Sequence, residues 1–238
     1  MRTYCRALLV TAFAVLLKIV VAGEVQTMNT DLNAKQRAIV TISSFAARGD
    51  LGNLQTALNE GLDAGLTVNE IKEVLVQLYA YAGFPRSLNA IGTFMTVLDD
   101  RRGNSIADTE GPLPSPLPTD RSSLEFGTEN QTRLIGNPVG GGIYDFAPAI
   151  DEFLKAHLFG DIFQRDNLDW KNRELATIAI LASIEGLNPQ LQGHYRIGMH
   201  NGLTAEDLRA TADLLGEKLG DSFGTNAHAV LEEALKQK

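Results

Sequence analysis

The chain has 238 residues, of which 44% are hydrophobic and 21% charged, a composition typical of soluble globular proteins with one large or two small domains. Its formal net charge of −8, together with the absence of any lysine- or arginine-rich run, argues against a nucleic acid partner. The single cysteine, Cys5, excludes an intramolecular disulfide and any Cys-x-x-Cys redox centre.

The first 22 residues have the pattern of a secretory signal peptide. Arg2 and Arg6 precede an apolar run over residues 7–17, and small residues follow near Ala22. A basic region, a short apolar region and a small-residue cleavage site are typical of export signals. Because a membrane span needs ~20 apolar residues, we expect a secreted or periplasmic protein with no stable membrane span. The alternative is that Met28 is the true start and that the protein is cytoplasmic.

After this segment, apolar residues recur at three- and four-residue spacing, which predicts amphipathic helices and no strands. Two helix starts carry capping boxes, Thr67-x-x-Glu70 and Thr204-x-x-Asp207. The predicted fold class is therefore all-α. The predicted helices are Gln36–Ala47, Leu51–Leu62, Asn69–Ala82, Leu88–Leu98, Ala149–Phe159, Arg173–Ser183, Gln190–Met199, Ala205–Leu219 and Ala227–Leu235.

Residues 101–145 differ in composition from the sequence on both sides. Prolines occupy every second position from Pro112 to Pro118, and three consecutive glycines follow at 140–142. Proline has no amide donor and is not tolerated inside a helix, so we predict an extended Pro/Gly-rich linker across the surface.

The sequences on the two sides of this linker repeat with an offset of 137 residues. Gly61 matches Gly198, and Gly-Leu-Thr at 65–67 matches Gly-Leu-Thr at 202–204. We therefore predict two helical repeats, at 31–100 and 146–238. They are expected to pack on each other, because one copy has no other surface on which to bury its apolar face.

Several motifs resemble the carboxymuconolactone decarboxylase family of the alkylhydroperoxidase-D-like superfamily. In the second copy they are Phe-Gly-Asp-Ile-Phe at 159–163, Arg-Glu-Leu-Ala-Thr-Ile-Ala at 173–179 and Gln-Gly-His-Tyr-Arg at 192–196. In the first copy, Glu-Val-Leu-Val-Gln at 73–77 and Tyr-Ala-Gly-Phe-Pro at 81–85 resemble the same family's later helix and turn. The resemblance covers both predicted repeats.

This resemblance implies a bundle of two helical units and assembly into rings, for which a homotrimer of duplicated chains supplies six units. It also implies one of two chemistries: decarboxylation without a cofactor, or peroxide reduction by a Cys-x-x-Cys pair. The matching helix has Gln190, Gln192 and Gly193 in place of cysteines, so thiol peroxidase activity is disfavoured and no cofactor is expected. The four histidines lack the spacing of a metal site, and we expect no metal.

Glu174 and His194 stand where the superfamily places its proton-handling pair. A decarboxylase needs an acid to protonate the carbon that loses CO2, and a histidine oriented by a carboxylate suits that role. Arg173 and Arg196 are candidates for binding the substrate carboxylate. The alternative is structural: an acid in a first helical turn is favoured by the helix dipole. In a regular antiparallel hairpin, Glu174 and His194 would also lie at different distances from the turn, about 16 and 9 Å.

The two copies have lost different residues. The first has Ala38 and Ala57 where the second has Glu174 and His194. The second has Leu214, Lys218 and Asp221-Ser222 where the first has Gln77, Tyr81 and Phe84-Pro85. We therefore hypothesise one composite site per chain, in which the first copy contributes Gln77, Tyr81 and Arg86 to substrate binding. The alternative is that the tyrosines only fill the interface between the copies.

The leading functional hypothesis is a cofactor-free decarboxylase or related lyase that acts on a small unsaturated lactone or carboxylic acid. The alternative is a non-catalytic protein that binds a small molecule on the same scaffold, which export favours because aromatic-ring catabolism is normally cytoplasmic. An arginine-containing pocket around Glu174 and His194 would favour the enzyme.

Overall fold

The computed structural model describes residues 32–236, so the predicted signal peptide lies outside the described residues. Over this range all regular secondary structure is helical, which confirms the predicted all-α class. No helix in the described range is long and apolar enough to span a membrane. The first half comprises α1 (Ala34–Arg48), α2 (Leu51–Asp63), α3 (Val68–Ala82) and α4 (Phe84–Gly103); then come α5 (Ser123–Ile135), α6 (Ile143–Phe146), α7 (Pro148–Phe153) and a π-helix (Leu154–Ile162); the second half comprises α8 (Trp170–Ala182), α9 (Asn188–His200), α10 (Ala205–Leu219) and α11 (Asp221–Lys236).

The helix boundaries reproduce the sequence repeat. Helices α2 and α3 begin and end 137 residues before α9 and α10, and α4 begins 137 residues before α11. The cause is visible at the start of α3 and α10, where both predicted capping boxes form. The Thr67 hydroxyl accepts from the amide of Glu70 at 3.2 Å, and the Thr204 hydroxyl accepts from the amide of Asp207 at 3.0 Å. The same local sequence therefore starts the same helix twice.

Helices α1 and α8 form the centre of the molecule. Each contains ten consecutive buried residues, Ala38–Ala47 in α1 and Arg173–Ala182 in α8. A helix that is buried on all sides must be surrounded by other helices. Helix α1 packs on α8 and α10, and α8 packs in turn on α3, which gives the two halves an approximate twofold relationship.

The apolar core crosses the boundary between the halves. The cluster built on α1 to α4 includes Leu168, Ala176 and Ile180 from the second half. The cluster built on α8 to α11 includes Leu32 and Val40 from the first. The halves therefore bury their apolar faces against each other, as the repeat argument predicts.

The predicted extended linker is partly wrong. Residues 106–118, which contain the alternating prolines, form no helix, as expected. Ser123–Ile135, however, form α5, which starts with a third capping box from Ser122 to Glu125 and ends at Gly136 with a φ of 87°. The fully buried Leu134 attaches α5 to the rest of the protein. Capping and apolar contact thus override the polar character of this segment.

The helix predicted at Ala149–Phe159 is divided between α7 and the π-helix. The π-helix crosses α5 so closely that a Cβ on Gly127 would overlap the main-chain oxygen of Lys155. A Cβ on Gly160 would likewise overlap the main-chain oxygen of Ser123. These two glycines allow the backbones of the two helices to touch, and the crossing places the π-helix over one end of α8.

Candidate active site

Helix α8 brings two charged side chains, Arg173 and Glu174, into the interior of the protein. Both residues have a relative exposure of 0%. Because a buried charge is strongly destabilising unless it is paired and hydrogen-bonded, the partners of these two side chains define the polar centre of the molecule.

The Arg173 side chain donates hydrogen bonds to other groups of the protein. Its Nε donates to the main-chain oxygen of Leu168 at 3.1 Å, and its Nη1 donates to Oε1 of Gln77 at 3.2 Å. Its Nη2 donates to Glu73 at 3.1 Å and to the main-chain oxygen of Arg165 at 2.7 Å. Each guanidinium nitrogen therefore has a protein acceptor. The expectation that Arg173 binds the substrate carboxylate is not supported, and the structure assigns it to joining the two halves.

Glu73, in α3, completes this network. Its carboxylate accepts from Nε and Nη2 of Arg165 at 2.9 and 2.7 Å, in addition to the bond from Arg173. Burial would raise the pKa of Glu73, but the hydrogen bonds from Arg165 and Arg173 outweigh it and hold the pKa below its usual value. Glu73 is therefore a carboxylate at neutral pH, and it links the first half to two arginines of the second.

Glu174 contacts the predicted histidine. Its Oε2 lies 2.7 Å from Nδ1 of His194, which is the geometry for a hydrogen bond from a ring N–H to the carboxylate. The Glu174 side chain is fully buried, whereas that of His194 is 15% exposed. Oε1 of Glu174 is buried without a hydrogen-bond partner. The carboxylate thus orients the imidazole, and its second oxygen is left for a polar group of a ligand or a water molecule.

Tyr81 enters the site from α3 of the first half. Its ring meets the ring of His194 edge to face, with centroids 5.7 Å apart and planes at 84°. Its hydroxyl is buried and lies near the Thr177 hydroxyl, but it makes no hydrogen bond of full geometry. Burial, and secondarily the charge of Glu174, raise the pKa of Tyr81 far above its usual value. Tyr81 therefore remains a protonated donor at every physiological pH.

Gln77 lies one helical turn before Tyr81. Its amide nitrogen donates to the main-chain oxygen of Arg173 at 2.9 Å and to the hydroxyl of Thr177 at 2.7 Å. Together with the bond that its Oε1 accepts, these contacts use the whole side chain to position α3 against α8. The structure thus brings Gln77, Tyr81, Glu174 and His194 together from both halves of the chain.

Two of the predicted substrate-binding residues lie elsewhere. Arg196 is on the exposed face of α9, two residues and therefore about 200° around the helix from His194. Arg86 is exposed at the start of α4, and its guanidinium lies against Gly49, the residue that ends α1. The predicted contact of these two arginines with substrate stays a prediction.

The site is covered by α5, which lies within the predicted linker, and by the π-helix, which overlaps the end of the predicted helix Ala149–Phe159. Leu134 of α5 forms an apolar cluster with Leu158, Phe159, Ile162 and Phe163, and this cluster packs on Tyr81. Trp170 and Ile197 also contact it. A π-helix is often found at functional sites, and here it supplies the apolar cover that keeps water away from the buried polar atoms.

The residues that sequence reasoning missed are Glu73, Arg165 and Thr177. Asn69, Glu73 and Gln77 follow one another at four-residue spacing, which puts a row of polar side chains on one buried face of α3. That spacing could have indicated a buried polar contact. Nothing comparable marks Arg165. Within residues 32–236, no group of three or more His, Cys, Asp or Glu side chains is arranged to hold a metal ion.

The sequence profile of the carboxymuconolactone decarboxylase family matches residues 13–94 and again residues 148–232. The chain belongs to the carboxymuconolactone decarboxylase family. The two matched regions confirm the two tandem copies. The first match begins inside the predicted signal peptide, which therefore stays a prediction.

A curated relative in this family is the 4-carboxymuconolactone decarboxylase of Acinetobacter baylyi (strain ATCC 33305 / BD413 / ADP1). It is 28% identical to this chain over 94 residues, which cover 38% of this chain and 69% of the relative. The aligned length corresponds to about one of the two copies, so the duplicated arrangement goes beyond what this pairing covers.

Proposed function

We propose that the protein is a cofactor-free carboxy-lyase that acts on a small unsaturated lactone or carboxylic acid. The observation that carries the proposal is the 2.7 Å contact between Glu174 and the imidazole of His194, next to the buried hydroxyl of Tyr81. Membership of the family and the name of the Acinetobacter relative support the reaction class. The substrate itself is part of the proposal.

The proposed reaction uses the two nitrogens of His194 differently. The bond between the substrate carboxylate and its carbon breaks, CO2 leaves, and the electron pair is delocalised onto the conjugated carbonyl oxygen. His194 then donates the proton on Nε2 to that carbon, while Nδ1 remains bonded to Glu174. Solvent returns one proton to the imidazole. The reaction therefore consumes one proton for each CO2 released.

Tyr81 is suited to stabilise the charge that develops on the carbonyl oxygen. Its hydroxyl is protonated and makes no hydrogen bond of full geometry within the protein, so it can turn to donate to an enolate. A donor held in place in a water-poor site stabilises developing charge more strongly than water does. Tyr81 belongs to the first half and His194 to the second, so neither half alone provides both groups.

The test is to measure CO2 release and loss of ultraviolet absorbance from a panel of carboxylated lactones. His194→Ala should lower kcat/KM by roughly 10²–10⁴-fold, the usual contribution of a general acid. The matched control is His228→Ala, which removes an exposed histidine that pairs with Asp213 at 2.7 Å and should leave the rate unchanged. Full activity of folded His194→Ala would exclude the proposed mechanism.

A second candidate function is non-catalytic binding of a small molecule on the same scaffold. The observation that favours it is that Arg173, the predicted carboxylate-binding residue beside Glu174, donates from each of its guanidinium nitrogens to a protein acceptor. Saturable binding of a lactone that is never converted would support this candidate over the lyase.

We also propose that the chain forms a homo-oligomer, with a homotrimer as the expected state. The largest exposed apolar side chains on helices lie on α4 and on the segment α6–α7, and Phe146 is 89% exposed. Exposed apolar groups of this size mark association surfaces. The stripe on α4 consists of Phe84, Leu88 and Met95, and the stripe on α6–α7 consists of Ile143, Phe146, Ile150 and Phe153.

A further inference from the structure

The twofold relationship between the halves gives the candidate active site a counterpart. Helices α8, α9 and α3 supply Glu174, His194 and Tyr81, and their repeat partners are α1, α2 and α10. Between these three partner helices lies a cavity of about 230 Å³. It is lined by residues from all three, so it occupies the position that the active site has in the other half.

The cavity exists because the counterparts of the catalytic side chains are small. The repeat places Ala38 where the other half has Glu174, and Ala57 where it has His194. Leu214 takes the place of Gln77. Two large polar side chains are thus replaced by methyl groups, which leaves an open space with an apolar floor. No acid–imidazole pair is available there, so the cavity is suited to binding and not to the proposed chemistry.

Two cations border this space. Lys218 stands where the other half has Tyr81, and Arg37 stands where it has Arg173. The side chain of Arg37 is 47% exposed, in contrast to the complete burial of Arg173. Unlike Arg173, Arg37 is therefore accessible to a ligand.

The acids near these cations limit what can bind. Glu217 lies 3.7 Å from Arg37 and 2.9 Å from Lys218, but it is 57% exposed, and exposed ion pairs of this kind are weak. Glu60 lines the cavity itself and opposes a second negative charge. The volume is below the ~300 Å³ at which pockets for drug-sized ligands begin. A ligand with one carboxylate and one compact apolar ring can pair with the two cations, brings no second negative charge near Glu60, and is small enough for this volume.

We propose that this cavity is a second small-molecule site, which binds a small aromatic or alicyclic monocarboxylate. The carboxylate lies between Arg37 and Lys218, and the apolar body rests on Ala38, Ala57 and Leu214. The proposal depends on the duplication and on the cavity, and not on the reaction proposed for His194.

The test uses 4-fluorobenzoate as the probe and ¹⁹F NMR of the intact chain as the readout, with neutral 4-fluorobenzamide as the ligand control. Lys218→Gln and Arg37→Gln should each weaken 4-fluorobenzoate binding by about tenfold, the contribution of one charge-assisted hydrogen bond. Lys236→Gln, which removes an exposed lysine on α11, should not change binding. His194→Ala should also leave it unchanged, because that residue belongs to the other site.

Three results would overturn the proposal. The first is the absence of saturable 4-fluorobenzoate binding by the intact chain. The second is equal binding of the acid and the neutral amide. The third is binding that is lost in His194→Ala and retained in Lys218→Gln, which would place the probe in the candidate active site.

Discussion

Replacement of Glu73 by glutamine tests how the two halves are held together. Glu73 belongs to α3 and is 3% exposed, and it bonds two arginines of the second half. Glutamine has the same shape but no charge, so Glu73→Gln leaves the fully buried guanidinium of Arg173 without a counter-ion. The variant therefore separates the electrostatic contribution of this contact from its packing.

The loss in the free energy of unfolding that Glu73→Gln causes depends on the two arginines that Glu73 binds. Removing one member of a buried ion pair lowers the free energy of unfolding by about 3–5 kcal/mol. Arg165 is 34% exposed and is rehydrated when its partner is lost, and Arg173 keeps its bonds to Gln77 and two main-chain oxygens. We therefore expect a loss near the lower limit, about 3 kcal/mol.

Urea denaturation at neutral pH provides the assay, because the midpoint falls with stability while the slope stays constant. The matched control is Asp99→Asn, which breaks an ion pair with Arg102 whose side chains are 72% and 76% exposed. Its cost should stay below about 1 kcal/mol. Equal and small losses in both variants would refute the idea that the buried network joins the halves.

The same variant has a defined pH dependence. Because the pKa of Glu73 is lower in the folded protein than in the unfolded chain, its stabilisation is fully present above the unfolded value of about 4.3. This stabilisation is lost as the pH falls through the pKa that Glu73 has in the folded protein. The difference in stability between wild type and Glu73→Gln should therefore be constant near neutral pH and shrink only under acidic conditions.

Further predictions concern single contacts. Tyr81→Phe should be at least as stable as wild type in thermal unfolding, because the deleted hydroxyl is buried without a hydrogen bond of full geometry. Tyr195→Phe should lose about 1 kcal/mol, because its hydroxyl donates to a main-chain oxygen. A clear loss of stability in Tyr81→Phe would show that the Tyr81 hydroxyl is bonded. Gly127→Ala should lower the free energy of unfolding by about 3 kcal/mol, because the added Cβ overlaps the π-helix. Gly92→Ala is the control: a Cβ there has no neighbour within 4 Å, so stability should be unchanged or rise by up to about 1 kcal/mol. Equal melting temperatures of the two variants would contradict the close crossing. Phe146→Glu should convert the expected trimer to smaller species in light scattering, and an unchanged mass would exclude this surface from the interface.

Much of the scaffold could be predicted from the sequence because its information is local. The matched Gly-Leu-Thr turns at 65–67 and 202–204 lead into capping boxes that start helices in both halves. Apolar spacing then determines which faces are buried. Helix α5 was missed although Ser122 and Glu125 form the same kind of capping box, because the prolines before it dominated the interpretation of the whole segment.

The candidate site was predictable only in part. The resemblance to the family and the different losses in the two copies led to Glu174, His194, Gln77 and Tyr81, which the structure brings together. Sequence alone did not show that the arginine beside Glu174 faces the opposite half, because side-chain direction depends on how α8 meets α3. The stagger expected for a regular hairpin of α8 and α9 likewise does not prevent the 2.7 Å contact.

The most direct test of the composite site is the ¹⁵N NMR spectrum of the His194 ring, which requires no substrate. The contact with Glu174 predicts a proton on Nδ1, and both Glu174→Gln and Tyr81→Leu should shift the ring resonances, since one substitution changes the partner of the imidazole and the other removes the aromatic ring packed against it. A ring protonated only on Nε2, with resonances that neither substitution moves, would contradict a site built from both halves.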